Sequence, residues 1–97
     1  VEDNCAAIDL LVDRGVPGEV YNVAGGNERT NIEVTERILD LLGKPRSLVK
    51  RVKDRVGHDR RYSLDGSKIR ALGFAPVTPF EQGLARTVAW YREFYGV

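Results

Sequence analysis

The stretch Gly18-Glu19-Val20-Tyr21-Asn22-Val23-Ala24-Gly25-Gly26-Asn27-Glu28-Arg29-Thr30-Asn31 decides how the fold is read. Its first half, Glu19 to Val23, is short and rich in β-formers, and Gly25, Gly26 and Asn27 end it as turn residues do, so a strand is predicted there. Its second half opens a helix. Thr30 and Glu33 have capping-box spacing, and Val34, Ile38, Leu41 and Leu42 then share one helical face until Gly43 and Pro45 close the run. A strand that turns through glycines into a capped helix places the chain in the α/β class.

Working outward, Cys5, Ile8, Leu11 and Val12 recur at helical spacing before Gly15, Pro17 and Gly18, and Glu2 and Asp3 put negative charge where the helix dipole favours it. Downstream, Leu48 to Val52 alternates imperfectly between apolar and basic residues and is a second strand candidate. Asp54 to Arg61 reads as a loop. A short helix is predicted from Asp65 through Ile69 and Leu72, stopped by Gly73. Thr78, Pro79 and Glu81 supply cap, first-turn proline and capping acid for a last helix striped by Leu84, Val88, Tyr91 and Tyr95.

Composition sets the frame for function. Ninety-seven residues allow one modest core at most. With 42% hydrophobic and 30% charged residues the chain is neither disordered nor fibrous. Fifteen basic and fourteen acidic side chains leave a formal charge of +1, so no global field draws it to nucleic acid or to a membrane surface. One cysteine, Cys5, and one histidine, His58, supply neither a disulfide nor a metal site, and a reducing, cytoplasmic setting is expected. No run approaches the roughly 20 apolar residues of a membrane-spanning helix, and the opening residues lack the pattern of a signal segment. The chain starts at Val1 and contains no methionine, so a start within something longer is expected.

Local chemistry is sparse. There is no Gly-x-Ser-x-Gly nucleophile motif, and Cys5, on an apolar helix face, is expected to pack in a core. Gly25 and Gly26 form neither Gly-x-Gly-x-x-Gly nor a phosphate-loop pattern, so no dinucleotide site is read here. The exception is Lys50-Arg51-Val52-Lys53-Asp54-Arg55-Val56-Gly57-His58-Asp59-Arg60-Arg61-Tyr62, which holds six of the fifteen Lys and Arg residues. Forked guanidinium donors match phosphate oxygens, an imidazole donates to an anion or a sugar hydroxyl, and Gly57 lets the backbone approach a ligand. An anionic, phosphorylated ligand is one reading and a solvated charged edge is another. Nucleic acid is disfavoured by the balanced charge and the short run. Asn31 and Asn27 flank a helix start where an anion could be received, or where Thr30 or Asn31 merely caps the helix. Trp90, Tyr91, Phe94 and Tyr95 have helical spacing and are expected in core or subunit contacts rather than as a stacking platform.

The Gly18 to Asn31 stretch, the run Asp54-Arg55-Val56-Gly57-His58-Asp59-Arg60-Arg61-Tyr62 and the pair Trp90-Tyr91 together resemble the C-terminal third of the dTDP-glucose 4,6-dehydratases. These enzymes form a subgroup of the extended short-chain dehydrogenase/reductase family. Gly-His-Asp-Arg-Arg-Tyr carries the resemblance most specifically. It implies the C-terminal part of a parent with an NAD(P)-binding Rossmann-like fold, mainly helical with a few short strands. Residues 1–27 would pack on the absent Rossmann domain, and residues 28–97 would form the substrate-binding portion.

The implied reaction oxidises the hexose of dTDP-glucose at C4 with tightly held NAD, eliminates water across C5 and C6, and returns hydride to C6. The resemblance implies no catalytic and no cofactor-binding residue in this chain. Gly25, Gly66 and Tyr95 stand four residues after Tyr21, Tyr62 and Tyr91, so the Tyr-x-x-x-Lys pair of the family is missing and the chain alone is expected to be inactive. The residues it implies for substrate binding are Asn31, Asp54, Arg55, Val56, Gly57 and His58, with Arg55 and His58 at the diphosphate and ribose. Relatives commonly carry proline where Val56 stands. A homodimer is expected, joined through strand edges or exchanged helices. The rival readings are the tail of another extended-family nucleotide-sugar epimerase, decarboxylase or dehydratase, and a stand-alone anion-binding or interaction module.

Overall fold

In the computed structural model, residues 1–96 are described, and their regular elements are α1 (Glu2–Arg14), α2 (Asn31–Leu42), a 3-10 turn (Arg46–Leu48), α3 (Ser67–Ala71) and α4 (Phe80–Tyr95). The helical part of the expectation is met; the strands are not. Neither Glu19 to Val23 nor Leu48 to Val52 is a strand among the described residues. A strand exists only as a hydrogen-bonded pairing, and neither segment makes one among the described residues. Leu48 instead closes the 3-10 turn, its amide donating to the Pro45 carbonyl at 3.2 Å.

The chain forms two compact units, one of Val1–Asn27 with Arg61–Thr78, the other of Glu28–Arg60 with the segment from Pro79 onward. The first is built on Ala7, Ile69 and Phe74, with Leu10, Leu11, Tyr21 and Val23 packed around them. Helix α1 carries two apolar stripes, and the one that wins is Ala7, Leu10 and Leu11, because the small Ala7 side chain lets the helix approach the fully buried Ile69. Cys5, Ile8 and Val12 lie on the losing stripe. Cys5 is exposed, contrary to the expectation of core packing, and Ile8 and Val12 are 53% and 83% exposed.

Side chains hold this unit where a sheet ladder would otherwise do so. The Lys68 ammonium donates to the Glu19 carboxylate at 2.5 Å and to the Val20 carbonyl at 2.9 Å, and it sits 4.5 Å from the Tyr21 ring centre. The Tyr21 hydroxyl accepts from the Val16 amide at 3.1 Å. The Asp3 carboxylate accepts from the Val77 and Thr78 amides, both at 3.1 Å, and these bonds, the Val77 one foremost, hold its carboxyl below the ordinary range. Asp65 starts α3 by accepting from the Ser67 amide at 2.8 Å, close to where the sequence places that helix.

In the second unit, α2 follows its sequence pattern. Thr30 Oγ1 accepts from the Glu33 amide at 3.3 Å while the Glu33 carboxylate accepts from the Thr30 amide at 2.7 Å. Gly43 ends the helix at φ 62°, and the Lys44 amide reaches back to the Leu39 carbonyl at 2.9 Å. This is a glycine-terminated exit that only a residue tolerant of left-handed backbone makes without strain. Leu39 is the buried residue of α2, and α2 packs on α4, where Leu84 and Val88 are half-buried.

The start of α4 differs from its reading. Pro79 is the cap and offers no side-chain bond, the Thr78 amide is taken by Asp3, and Glu81 pairs with Arg37 at 3.4 Å. Nor does the stripe stay buried to its end. Trp90, Tyr91, Phe94 and Tyr95 are exposed and stack on one another, with Trp90 to Phe94 at 5.0 Å and Tyr91 to Tyr95 at 5.7 Å between ring centres.

Candidate functional site

Residues 54 to 60 carry no helix or strand, as read, and each is exposed taken as a whole residue. Order within the loop comes from one tight turn. The His58 amide donates to the Arg55 carbonyl at 3.4 Å, and Gly57 has φ 71° at the third position, as a type II turn requires. Gly57 therefore serves the turn itself, and Val56 at its tip is fully exposed.

Asp54 ties this turn together. One carboxylate oxygen, Oδ1, accepts from the Arg55 amide at 2.8 Å and lies 2.6 Å from His58 Nδ1. The bond to His58, then that to the Arg55 amide, holds the Asp54 carboxyl below its usual range, so it is a carboxylate at neutral pH. The His58 side chain is only 28% exposed despite its place on a surface loop. The sequence reading noted both residues but not their pairing, although Asp54-x-x-x-His58 spacing across a glycine turn was the available signal.

The structure thus brings Asp54, Arg55, Val56, Gly57 and His58 into one turn. Asn31 it does not bring to them: this residue opens α2 with an exposed side chain, and no hydrogen bond joins it to the loop among the described residues. Its carbonyl accepts from Thr35 Oγ1 at 2.7 Å. At that helix start Thr30 acts as the cap, as one of the two readings had it.

The same helix start tests the fit of a dinucleotide. A pyrophosphate bound after a glycine turn needs free helix N-terminal amides. Here the Glu33 carboxylate lies at 2.7 Å from the Thr30 amide and 2.8 Å from the Thr30 hydroxyl, placing a negative charge where the phosphates would go. This helix start does not fit an NAD pyrophosphate.

Elsewhere in this unit a groove of about 370 Å³ is bounded by Arg29, Arg37, Asp40, Arg46, Phe80 and Glu81. Its cations are already engaged: Arg37 with Glu81, Arg46 with Asp40 at 3.1 Å, and Arg29 over the Phe80 ring at 5.3 Å. The sequence reading missed it, since its residues lie far apart in the chain. Among the described residues no group of three or more His, Cys, Asp or Glu side chains is placed to hold a metal, and no helix is long and apolar enough to cross a membrane.

No family model matches the chain. It is 52% identical over 93 residues to the dTDP-glucose 4,6-dehydratase of an Actinoplanes species, an alignment covering 95% of this chain and 29% of that protein. Its backbone superposes on the crystal structure of the dTDP-glucose 4,6-dehydratase of Streptomyces venezuelae, solved with NAD and a thymidine-diphosphate ligand, with a TM-score of 0.90 and 53% identity. That match covers 98% of this chain and 30% of the other. The chain is a counterpart of one segment of the dTDP-glucose 4,6-dehydratases.

It spans about 29% of the length of the curated dehydratases it matches. The Bacillus anthracis dTDP-glucose 4,6-dehydratase, solved with NAD, gives a TM-score of 0.86 at 45% identity over 95% of this chain and 29% of its own. A relative with a different name, a low-salt glycan biosynthesis protein of Haloferax volcanii, is 47% identical over 91 residues, 94% of this chain and 29% of that protein. The resemblance first carried by the Gly-His-Asp-Arg-Arg-Tyr run therefore extends over nearly the whole chain. The extended short-chain dehydrogenase/reductase architecture belongs to the full-length dehydratases, of which this chain matches a mainly helical part.

Proposed function

We propose that the chain is the C-terminal, substrate-binding portion of an NAD-dependent dTDP-glucose 4,6-dehydratase, a cytoplasmic homodimer that converts dTDP-glucose to dTDP-4-keto-6-deoxyglucose. The observation that carries this reading is the agreement with the Streptomyces venezuelae dehydratase, 53% identical with a TM-score of 0.90 over 98% of this chain. At that level the turn from Asp54 to His58 is expected to keep the place it has in the dehydratases.

In this reading Arg55 offers a forked guanidinium to the diphosphate and His58 its imidazole to the phosphate or ribose. Gly57 and Val56 shape the turn, Asp54 stands in the same turn beside Arg55 and His58, and Asn31 contacts the substrate from the start of α2. Residues 1–27, with the exposed Ile8, Val12 and Val20, pack on the cofactor-binding half. The cofactor and the acid/base pair come from that half, so the chain alone turns nothing over.

Two measurements test the proposal. A full-length protein bearing this segment should form the 4-keto-6-deoxy product from dTDP-glucose, and release of glucose or a C4 epimer instead would overturn it. Titration of the chain with dTDP, beside Arg55→Ala and His58→Ala, should show weaker and less salt-sensitive binding in both variants. Identical behaviour of all three removes the anion site.

The Haloferax volcanii relative favours a second reading, in which the same architecture serves glycan assembly with another nucleotide-sugar. Comparing dTDP-glucose with other nucleoside-diphosphate hexoses as substrates separates the two.

A further inference from the structure

We propose that Asp54 is a positioning residue rather than a ligand of the nucleotide. Its carboxylate engages His58 Nδ1 and the Arg55 amide, leaving Nε2 as the imidazole nitrogen that meets a nucleoside diphosphate. The proposal rests on the substrate-binding reading of the loop and refines it.

Geometry argues first. A single oxygen, Asp54 Oδ1, joins both ends of the turn, at 2.8 Å from the Arg55 amide and 2.6 Å from His58 Nδ1. The turn is closed independently by the His58 amide on the Arg55 carbonyl at 3.4 Å and by the positive φ of Gly57. Two backbone constraints and one side-chain bond thus fix where the ring lies, and its low exposure of 28% restricts it further. Asp54 engages Nδ1, so Nε2 is the ring nitrogen it leaves for another partner.

Chemistry argues second. An ionised carboxylate only accepts hydrogen bonds, so it has nothing to donate to a phosphate oxygen and repels it by charge. Acting on the ring, the same charge is useful. A neutral imidazole bound through Nδ1–H presents Nε2 as an acceptor for a sugar hydroxyl. A protonated one presents Nε2–H as a donor to phosphate, its positive charge balanced across the ring by Asp54. Either way the carboxylate determines which ring nitrogen meets the ligand, and it does so without touching the ligand.

His58 is the chain's only histidine, so its ring nitrogens can be read without assignment ambiguity in a 15N-labelled sample. In its neutral form the ring should show the Nδ1–H tautomer. Asp54→Ala should shift it towards Nε2–H, and Asp54→Asn, which keeps an acceptor without the charge, should retain most of the Nδ1–H form. Far-UV circular dichroism confirms that each variant is folded. In dTDP titrations Asp54→Ala should weaken binding about tenfold, the scale of one charge-assisted hydrogen bond. Adding it to His58→Ala should cost little more than His58→Ala alone.

Identical ring-nitrogen signatures with and without the carboxylate overturn the proposal, and so do fully additive losses in the double variant. A tautomer shift in variants that, like the parent chain, fail to bind dTDP upholds the positioning role and sinks the substrate-binding reading instead.

Discussion

The ammonium of Lys68 and the carboxylate of Glu19 meet at 2.5 Å across 49 residues of sequence. The same ammonium bonds the Val20 carbonyl, so one side chain anchors an extended segment that no strand pairs with among the described residues. Lys68→Met should therefore speed amide hydrogen exchange at Glu19 to Val23 while leaving the exchange of α2 unchanged. The effect on overall stability should be small, because both partners are about half exposed and exposed ion pairs contribute little. Unaltered exchange in the segment would show that Tyr21 and Val23 packing suffices to hold it.

Ile69 is the largest fully buried side chain and touches the core from a helix of one and a half turns. Ile69→Ala should destabilise the first unit by about 2–5 kcal/mol, the range for truncating a buried aliphatic side chain. Urea titration followed by far-UV circular dichroism measures it. A change below about 1 kcal/mol would mean that the site collapses around the smaller side chain.

Acid should weaken the fold through a defined set of carboxylates. Asp3, Glu19, Glu33, Asp54 and Asp65 are each held below their ordinary values, the first through the Val77 amide, the others through Lys68, Thr30, His58 and Ser67. A carboxyl that binds its proton less tightly when folded contributes stability that is fully present above its unfolded value, about 4. That contribution is lost as pH falls through the depressed folded value. Thermal midpoints should hold steady from pH 7 to about 5 and decline below about 4, with Asp3→Asn reducing the dependence. A midpoint that rises as pH falls from 5 to 3 would contradict this.

Val56 stands fully exposed at the second position of its turn, where proline is favoured. Val56→Pro should be tolerated and should stabilise the turn by about 0.4–1 kcal/mol through a less flexible unfolded chain. In dTDP titrations it should tighten binding modestly, since less ordering remains to be done on association. Weaker binding would show that the valine backbone is incompatible with proline.

Much of the helical layout was legible because its signals are local. Thr30, Glu33 and Gly43 delimit α2 within 14 residues of sequence, and Asp65 and Gly73 bracket α3. What failed were questions decided at a distance. Whether Glu19 to Val23 becomes a strand depends on a neighbour, and no property of those five residues supplies one. The two stripes of α1 are about equally apolar, and only the placement of Ile69 and Phe74 selects Ala7, Leu10 and Leu11 over Cys5, Ile8 and Val12. At α4 the cap pattern was present, but Asp3 captures the Thr78 amide and Arg37 takes Glu81. In the loop, residue types pointed to an anion, and the Asp54-x-x-x-His58 spacing was the one local trace of the pairing that the structure shows.

Trp90 is the only tryptophan, and it lies edge-on to Tyr91 at 4.9 Å and face-to-face with Phe94 at 5.0 Å. Its fluorescence therefore reports on the last turns of α4. A melting curve recorded by indole emission follows that helix end, whereas Tyr21, packed against the Ala7–Ile69–Phe74 cluster, is the native chromophore beside the core of the first unit.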